Sequence, residues 1–472
     1  VTQVSERLPE AEAQVSFAEE WDTDLRSNNP LSFDGYEPPL ADEESVRAGL
    51  VEGELGSYVL ISCDFSKSGG TMGAVAGERI VRAYRRATER GLPVAQLVSS
   101  GGARLQEGMV SLVQMARTSS AVSAHRAAGL MSASALRSPT TGGVYASWAS
   151  QSDVRTASPA AVIGFGGPRV VEQVTGSLPP KTSHTAESAF RHGLIDAITP
   201  VTDQRKWLEQ ALGVAAAPPL QVTAEAPAGT ATQPTSAWQL LQEVRSPLRP
   251  SGLDWAAWLT DSWVELRGSD PRIRAGLATM DGRRLMVVAM DRARAEEDHA
   301  LVGPAGFRLA QRAIELAGRL GMPLLTIIDT PGADPSAPSE ADGLAREIAR
   351  TIGAMAALPT VSVALCVGEG GSGGAMSLAH ADSFLMLTGS VFSVIGPEPG
   401  AVVLYRDNTR AAKLAGDLKI SAGDLFSMGA IDAAVPESVP AVRASVLNAI
   451  KTTPAGKRNV RIDALTARAL AF

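Results

Sequence analysis

The 472-residue sequence holds only two cysteines, Cys63 and Cys366, each inside an apolar strand-like run. That excludes a disulfide scaffold and a four-cysteine zinc cluster, and makes buried thiols in a reducing compartment the expected state. The five histidines are widely spread and form no HExxH pair, so no metal site is expected. No uninterrupted apolar stretch approaches a membrane span, and the opening VTQVSERLPEAEAQVSFAEEW lacks the basic start and apolar core of a secretory signal. A cytoplasmic protein without a membrane partner is expected. Positive charge is also in deficit, with 43 basic against 50 acidic residues and a formal net charge of -7. Such a chain has no overall field that would draw it to nucleic acid, and no nucleic-acid partner is expected.

Glycine, by contrast, is abundant. The 45 glycines follow no collagen-like period, so they point to tight packing or to backbone used as chemistry. SYVLISCDF (57–65) reads as a strand, followed by the turn SKSGG and a helix from Ala74 to Arg90. PVAQLVSS (93–100) is a second strand ending in glycines, and residues 106–130 read as helix. The plan returns later in the chain. RRLMVVAMD (283–291), PLLTIIDT (323–330) and VSVALCVG (361–368) are strand-like, with helix over 306–320 and a glycine turn, GEGGSGGAMSLA, running into a further helix. Gly102 precedes Gly143 by 41 residues, and Gly332 precedes Gly373 by the same 41. GFGGPRVV (164–171) matches VIGPEPGAVV (394–403), and HGLIDAITP (192–200) matches MGAIDAAVP (428–436), all at an offset of about 230 residues. Ordered landmarks at one offset predict an α/β protein of two tandem, duplicated domains. The boundaries are placed at 1–48 (acidic arm), 49–214, an Ala/Pro/Thr-rich linker over 215–236, 237–450, and a tail over 451–472 with a short last helix.

In each half a strand delivers a glycine pair, Gly142-Gly143 or Gly373-Gly374, immediately before a helix. Such pairs can aim backbone N–H groups at one point, as an oxyanion hole requires. Glycines needed only for close helix packing are the alternative. Neither turn is a phosphate loop of the GK[ST] kind, GxSxG is absent, and no histidine is nominated as a base. Asp329 and Glu369, at strand ends, are equally suited to capping. The residues alone yield two backbone anion sites and no named acid or base.

SGGTMGAVAGE (68–78), SSGGARLQEGMVSLVQMARTS (99–119), PTTGGVYAS (139–147), GFGGPRVVEQ (164–173) and TAESAFRHGLID (185–196) resemble the beta subunit of the bacterial acetyl-CoA carboxylase carboxyltransferase. IIDTPGADP (327–335), GEGGSGGAMSLA (368–379) and LKISAGDLFSMGAID (418–432) resemble its alpha subunit. The chain thus resembles the carboxyltransferase component of biotin-dependent acyl-CoA carboxylases, both subunits joined in one polypeptide. The resemblance implies two crotonase-like domains, with carboxybiotin on a separate carrier meeting an acyl-CoA where the first domain of one protomer faces the second domain of another. Gly142 and Gly143 would hold the thioester enolate oxygen, and Gly373 and Gly374 the biotin ureido oxygen. Gly101, Gly102, Ala103 and Arg104 would line the coenzyme A side, with Arg104 open to a scaffold ion pair instead, and Pro331, Gly332 and Ala333 the biotin side. The carboxyl group would leave as CO2, the released biotin nitrogen would take the acyl α proton, and the enolate would attack CO2.

Three departures from the pattern stand out. The four-cysteine zinc ribbon usual at the start of the beta subunit is missing, and an acidic arm carrying NNPLSFDGY (28–36) stands there instead, so no bound zinc is expected. Ser138 replaces an acid before PTTGG, and EADGLAREIA (340–349) replaces a glycine-glutamine pair. With no biotinylation sequence and no ATP-grasp-sized region, the chain would need a biotin carboxylase and a biotin carboxyl carrier protein as partners. Acetyl-CoA is the favoured acyl substrate. Propionyl-CoA, a decarboxylase acting on malonyl thioesters, a hydratase or isomerase of the crotonase type and a non-catalytic assembly subunit are the alternatives. A homodimer is the simplest closed form, a hexamer the other.

Overall fold

The computed structural model describes residues 16–227, 236–292 and 301–470. The chain divides into two compact units, one of Val1–Ser188 with Ile198–Ala216 and one of Ala189–Ala197 with Ala217–Phe472.

The first unit is built on a mixed sheet of β1 (Glu19–Glu20), β2 (Val46–Glu52), β3 (Ser57–Cys63), β4 (Val94–Ser100), β5 (Ser132–Thr141), β6 (Val154–Ala157), β7 (Ile163–Gly164) and β8 (Ala197–Ile198). The order is β1-β2-β3-β4-β5-β6-β8, with β7 added against β5. The second unit repeats this with β9 (Ser262–Leu266), β10 (Ile273–Met280), β11 (Arg283–Met290), β12 (Leu324–Thr330), β13 (Ser362–Gly371), β14 (Ser383–Leu387), β15 (Val391–Ser393) and β16 (Ala433–Val435). Its order is β16-β14-β13-β12-β11-β10-β9, with β15 against β13. In both, strands joined through helices run parallel and the leading hairpin runs antiparallel. Every residue of β4, β12 and β13 is buried, as expected of parallel strands covered on both faces.

The two copies agree in detail. The long central strands β5 and β13 pair with one neighbour along their first half and with another, β7 or β15, along their last residues. Each breaks register against the preceding strand at the same place, between Val98 and Ser100 and between Ile328 and Thr330. Isolated parallel bridges, Met72–Ala103 and Val302–Ala333, then tie the turn after β4 or β12 to the start of the preceding helix. Those helices, Ala74–Arg90 and Pro304–Arg319, bury their small and branched residues along one stripe.

Several local expectations are modified. The helix expected over 106–130 spans Gly108–Ala127 after a short turn at Leu105–Glu107. The helix after Gly142-Gly143 is a single turn, Gly142–Tyr145, whereas its counterpart runs from Ser372 to Ala379. Among the described residues of the arm, Glu19–Glu20 form β1, Ala41–Glu43 make a short helical turn, and strand β2 starts at Val46. The linker is not a free crossing at its start: Pro218 O accepts the Trp263 N–H at 2.8 Å, and Leu220 packs on the core of the second unit. Residues 228–235 of that linker lie outside the described residues. The last helix spans Arg458–Ala469 and is docked by Arg458, wholly buried against Asp382 at 3.0 Å.

Candidate functional site

The turn after β4 and the turn after β5 meet backbone to backbone. Gly102 has φ +113° and Gly142 φ +62°, conformations open to glycine. A Cβ on Gly142 would lie 2.9 Å from Gly102 Cα, and a Cβ on Gly102 would lie 3.3 Å from Gly143 N. The crossing therefore has no room for side chains, and it places Gly143 N beside the Gly102–Ala103 peptide.

Which N–H groups face outward follows from the hydrogen bonds. Met72 N donates to Gly102 O at 2.8 Å, and Arg104 N donates to Met72 O at 3.0 Å. Because successive N–H groups alternate along extended backbone, the intervening Ala103 N–H faces away from Met72. The N–H of Gly142 is not available, because it donates to Phe165 O at 2.9 Å. The donor role expected of Gly142 is therefore closed to it, and the candidate donors at this crossing are the N–H groups of Ala103 and Gly143. Arg104 makes the scaffold ion pair that was the alternative open to it. Its guanidinium is 2% exposed and lies between Glu44 and Glu107 rather than in open solvent. Burial is the largest single effect and would lower its pKa, but hydrogen bonding and charge attraction to Glu44, with Tyr36, together outweigh it and raise it.

These groups border a cavity of about 1540 Å³ lined by Gly101, Ala103, Gly142 and Gly143, with Phe165 and Val170 on another wall. The segments picked out separately in the sequence, 99–119, 139–147 and 164–173, converge there. The arm joins them through Gly35, Tyr36 and Glu37, which the sequence did not announce. Among the described residues, no histidine or cysteine lines the cavity. Burial pushes both thiols up to about 12, and Cys63 donates to Ser99 O at 3.2 Å, so neither is a nucleophile. Ser138 occupies the place of the usual acid, and its hydroxyl accepts the Val162 N–H at 3.1 Å.

The second unit repeats the crossing with a different distribution of glycine. Gly332 has φ +156°, and Ser372, at φ +57°, stands where the first unit has Gly142. The steric requirement falls one residue earlier: a Cβ on Gly371 would lie 1.9 Å from Pro331 O. A Cβ on Gly374 would come within 3.0 Å of Ala333 N and cover it, whereas one on Gly373 would meet only Ile348 Cγ2 at 3.9 Å. Asp334 N donates to Val302 O at 3.0 Å, so Ala333 N–H turns away from that strand as Ala103 N–H does. Gly373 and Gly374 stand in the first turn of helix Ser372–Ala379, where N–H groups have no intrahelical acceptor. At the departure over 340–349, Asp342 pairs with Arg308 at 2.7 Å, and Gly343, φ +83°, caps helix Leu344–Ala357.

Beneath this turn Asp329 is fully enclosed. Its Oδ1 accepts the Glu369 N–H at 3.2 Å, and Arg292 Nε is 3.5 Å from Oδ2. Burial pushes its pKa up to about 6 despite the arginine. Between the unfolded value near ~4 and this folded value, the folded state holds a proton the unfolded state has released, so stability falls as pH rises through that window. The Asp329→Asn variant carries no such charge. Its stability relative to wild type, read from denaturant midpoints, should therefore rise by roughly 2 kcal/mol between pH 4 and pH 7. A pH-independent difference would contradict this account.

Among the described residues no group of three or more His, Cys, Asp or Glu is arranged to hold a metal ion, and no helix is long and apolar enough to cross a membrane.

Comparison with known proteins agrees with the geometry. Residues 215–458 match the family described as acetyl co-enzyme A carboxylase carboxyltransferase-like. The chain is 41% identical over 399 residues to the acetyl-coenzyme A carboxylase carboxyl transferase subunits beta/alpha of Salinispora arenicola, covering 80% of this chain and 70% of that one. It is 37% identical over 402 residues to a probable biotin-dependent acyl-coenzyme A carboxylase beta3 subunit of Mycobacterium bovis, covering 84% and 80%. Among solved structures, transcarboxylase 12S superimposes with a TM-score of 0.73 at 19% identity over 89% of this chain and 83% of that one, which establishes a shared fold. Two copies of one crotonase-like domain, with backbone donors bared at the glycine crossings and beta-like and alpha-like sequence in chain order, make this chain a member of the acetyl-CoA carboxylase carboxyltransferase family, a biotin-dependent enzyme that transfers a carboxyl group to an acyl-CoA.

Proposed function

We propose that the chain carboxylates acetyl-CoA to malonyl-CoA, with the thioester oxygen held by the N–H groups of Ala103 and Gly143. The observation that carries this reading is the cavity whose floor is the Gly102–Gly142 crossing. Rigid backbone donors suit an oxygen that gains charge only as the α proton leaves, because no reorganisation is needed at that moment. Gly142 sets the crossing, and Met115, whose Sδ would lie 2.9 Å from a Cβ on Gly143, packs over that residue.

In the second unit Pro331, Gly332, Ala333, Gly373 and Gly374 would hold the ureido group of carboxybiotin, delivered by a separate carrier protein. The fit rests on glycine at 371 and 374, since side chains there would collide with the turn or cover the Ala333 N–H. Carboxybiotin supplies the carboxyl group and, once it has given that up, a basic ring nitrogen. This agrees with a cavity whose lining among the described residues holds no histidine or cysteine for proton removal. A biotin carboxylase and a biotin carboxyl carrier protein are the implied partners, and a homo-oligomer is the implied state. The hexamer described for transcarboxylase 12S is a precedent from a protein of shared fold.

The test supplies carboxylated carrier protein and acetyl-CoA to the full chain and follows malonyl-CoA by mass spectrometry. Malonyl-CoA formation is expected. No product, with CO2 released from malonyl-CoA instead, would assign the chain to decarboxylation, and preferential turnover of propionyl-CoA would reassign the substrate.

A further inference from the structure

The arm reaches the catalytic floor through a buried chain of charges. Glu107 is 0% exposed. Its Oε2 accepts the Ala74 N–H at 2.6 Å, and its Oε1 accepts the Tyr36 hydroxyl at 2.9 Å. Arg104 gives it only a long contact of 3.5 Å, because the guanidinium is committed to Glu44, with Nη1 3.0 Å from Oε2 and Nη2 on Oε1. Two buried carboxylates thus share one arginine. The deficit at Glu107 is met by neutral donors, of which the Tyr36 hydroxyl comes from the arm. Tyr36 itself is held by a bend in which Asn29 Oδ1 accepts the Phe33 N–H at 3.0 Å and Asn29 Nδ2 donates to Tyr36 O at 3.1 Å.

A buried carboxylate that loses a donor must be satisfied from elsewhere. The nearest source is Arg104, whose backbone adjoins Ala103 and whose N–H fixes the Met72 bridge. Pulling Arg104 from Glu44 toward Glu107 would move the peptide that carries the donor. We propose that Tyr36 is a positioning residue for carboxyl transfer: its hydroxyl completes the Glu107 hydrogen bonds and so keeps Arg104 on Glu44 and the Ala103 N–H in place. The proposal rests on the assignment of Ala103 as an acyl-side donor.

Tyr36→Phe should lower kcat by about tenfold, since sub-ångström misplacement of a donor suffices for that, while leaving the KM for acetyl-CoA within about twofold. Combining it with Glu107→Gln, which removes the uncompensated charge, should restore most of the lost kcat. A residue that only walls the cavity would show no such rescue. Amide exchange read by mass spectrometry over residues 101–107 should quicken in Tyr36→Phe and return toward wild type in the double variant. If Tyr36→Phe does not fold, Asn29→Ala loosens the same bend and should shift kcat and exchange in the same direction. Wild-type kcat and exchange in the folded single variant, or a loss that Glu107→Gln does not relieve, would overturn the proposal. If the wild-type chain itself makes no malonyl-CoA, the acyl-CoA assignment fails, and the exchange measurement still decides whether Tyr36 positions the loop.

Discussion

Gly142→Ala should lower kcat for carboxyl transfer by ~10²–10³-fold, the loss typical of an oxyanion donor displaced. The added Cβ would sit 2.9 Å from Gly102 Cα and 3.2 Å from Gly101 O. Both obstacles are backbone, so no side-chain rotation relieves the clash. Alanine would also be forced to φ +62°. The two turns must separate, and Ala103 and Gly143 separate with them. The control is Gly91→Ala, at φ +67° in the cap of helix Ala74–Arg90 with nothing within 4 Å of its Cβ. It should cost roughly 1 kcal/mol in stability through the same left-handed strain and leave kcat unchanged. Rates are read as malonyl-CoA formed from carboxylated carrier, with solution mass confirming assembly. A Gly142→Ala enzyme within about twofold of wild type would remove the crossing from the mechanism.

A comparable loss, at least ~10²-fold in kcat, is expected from Gly371→Ala in the second unit. Its Cβ would lie 1.9 Å from Pro331 O and 2.3 Å from the carbonyl carbon, which requires the Thr330–Ala333 turn to leave the end of β13. Acetyl-CoA binding, measured by calorimetry, should survive, because the residues lining the acyl-side cavity all belong to the first unit. Gly373→Ala provides the contrast. With only Ile348 Cγ2 at 3.9 Å, that alanine fits, so a change in transfer rate without a change in melting temperature would report on the bound group rather than on packing. Loss of acetyl-CoA binding together with transfer in Gly371→Ala would mean that the substitution had unfolded the enzyme rather than disabled its biotin side.

The parts of the site differ in how they were encoded. The strands, the glycine turns and their recurrence are local or periodic features. Parallel strands buried on both faces must be apolar throughout, and a crossing of two backbones must be glycine whatever surrounds it. That is why the offset between the halves could be counted from residues alone. It is also why Gly102 and Gly142 stood out before their contact was known. Even there the glycine pairs are not equivalent: the 230-residue offset aligns Gly142-Gly143 with Ser372-Gly373, and the tightest crossing in the second half is one residue earlier, at Gly371.

The direction of each N–H and the destination of each charge depend on what another segment places opposite. Gly142 N–H is taken by Phe165, 23 residues away, and Arg104 by Glu44, 60 residues away in the chain. Tyr36 meets Glu107 across 71 residues. A glycine pair therefore read as two donors although one of its N–H groups is taken, and an arginine open to two roles is found in a buried ion pair. The sequence by itself determined two copies of one domain and the positions of their glycine crossings, because steric exclusion acts on the residue that bears it. Only the tertiary structure decided which N–H groups and charges are already taken and where the arm meets them, because a hydrogen bond is assigned by its partner.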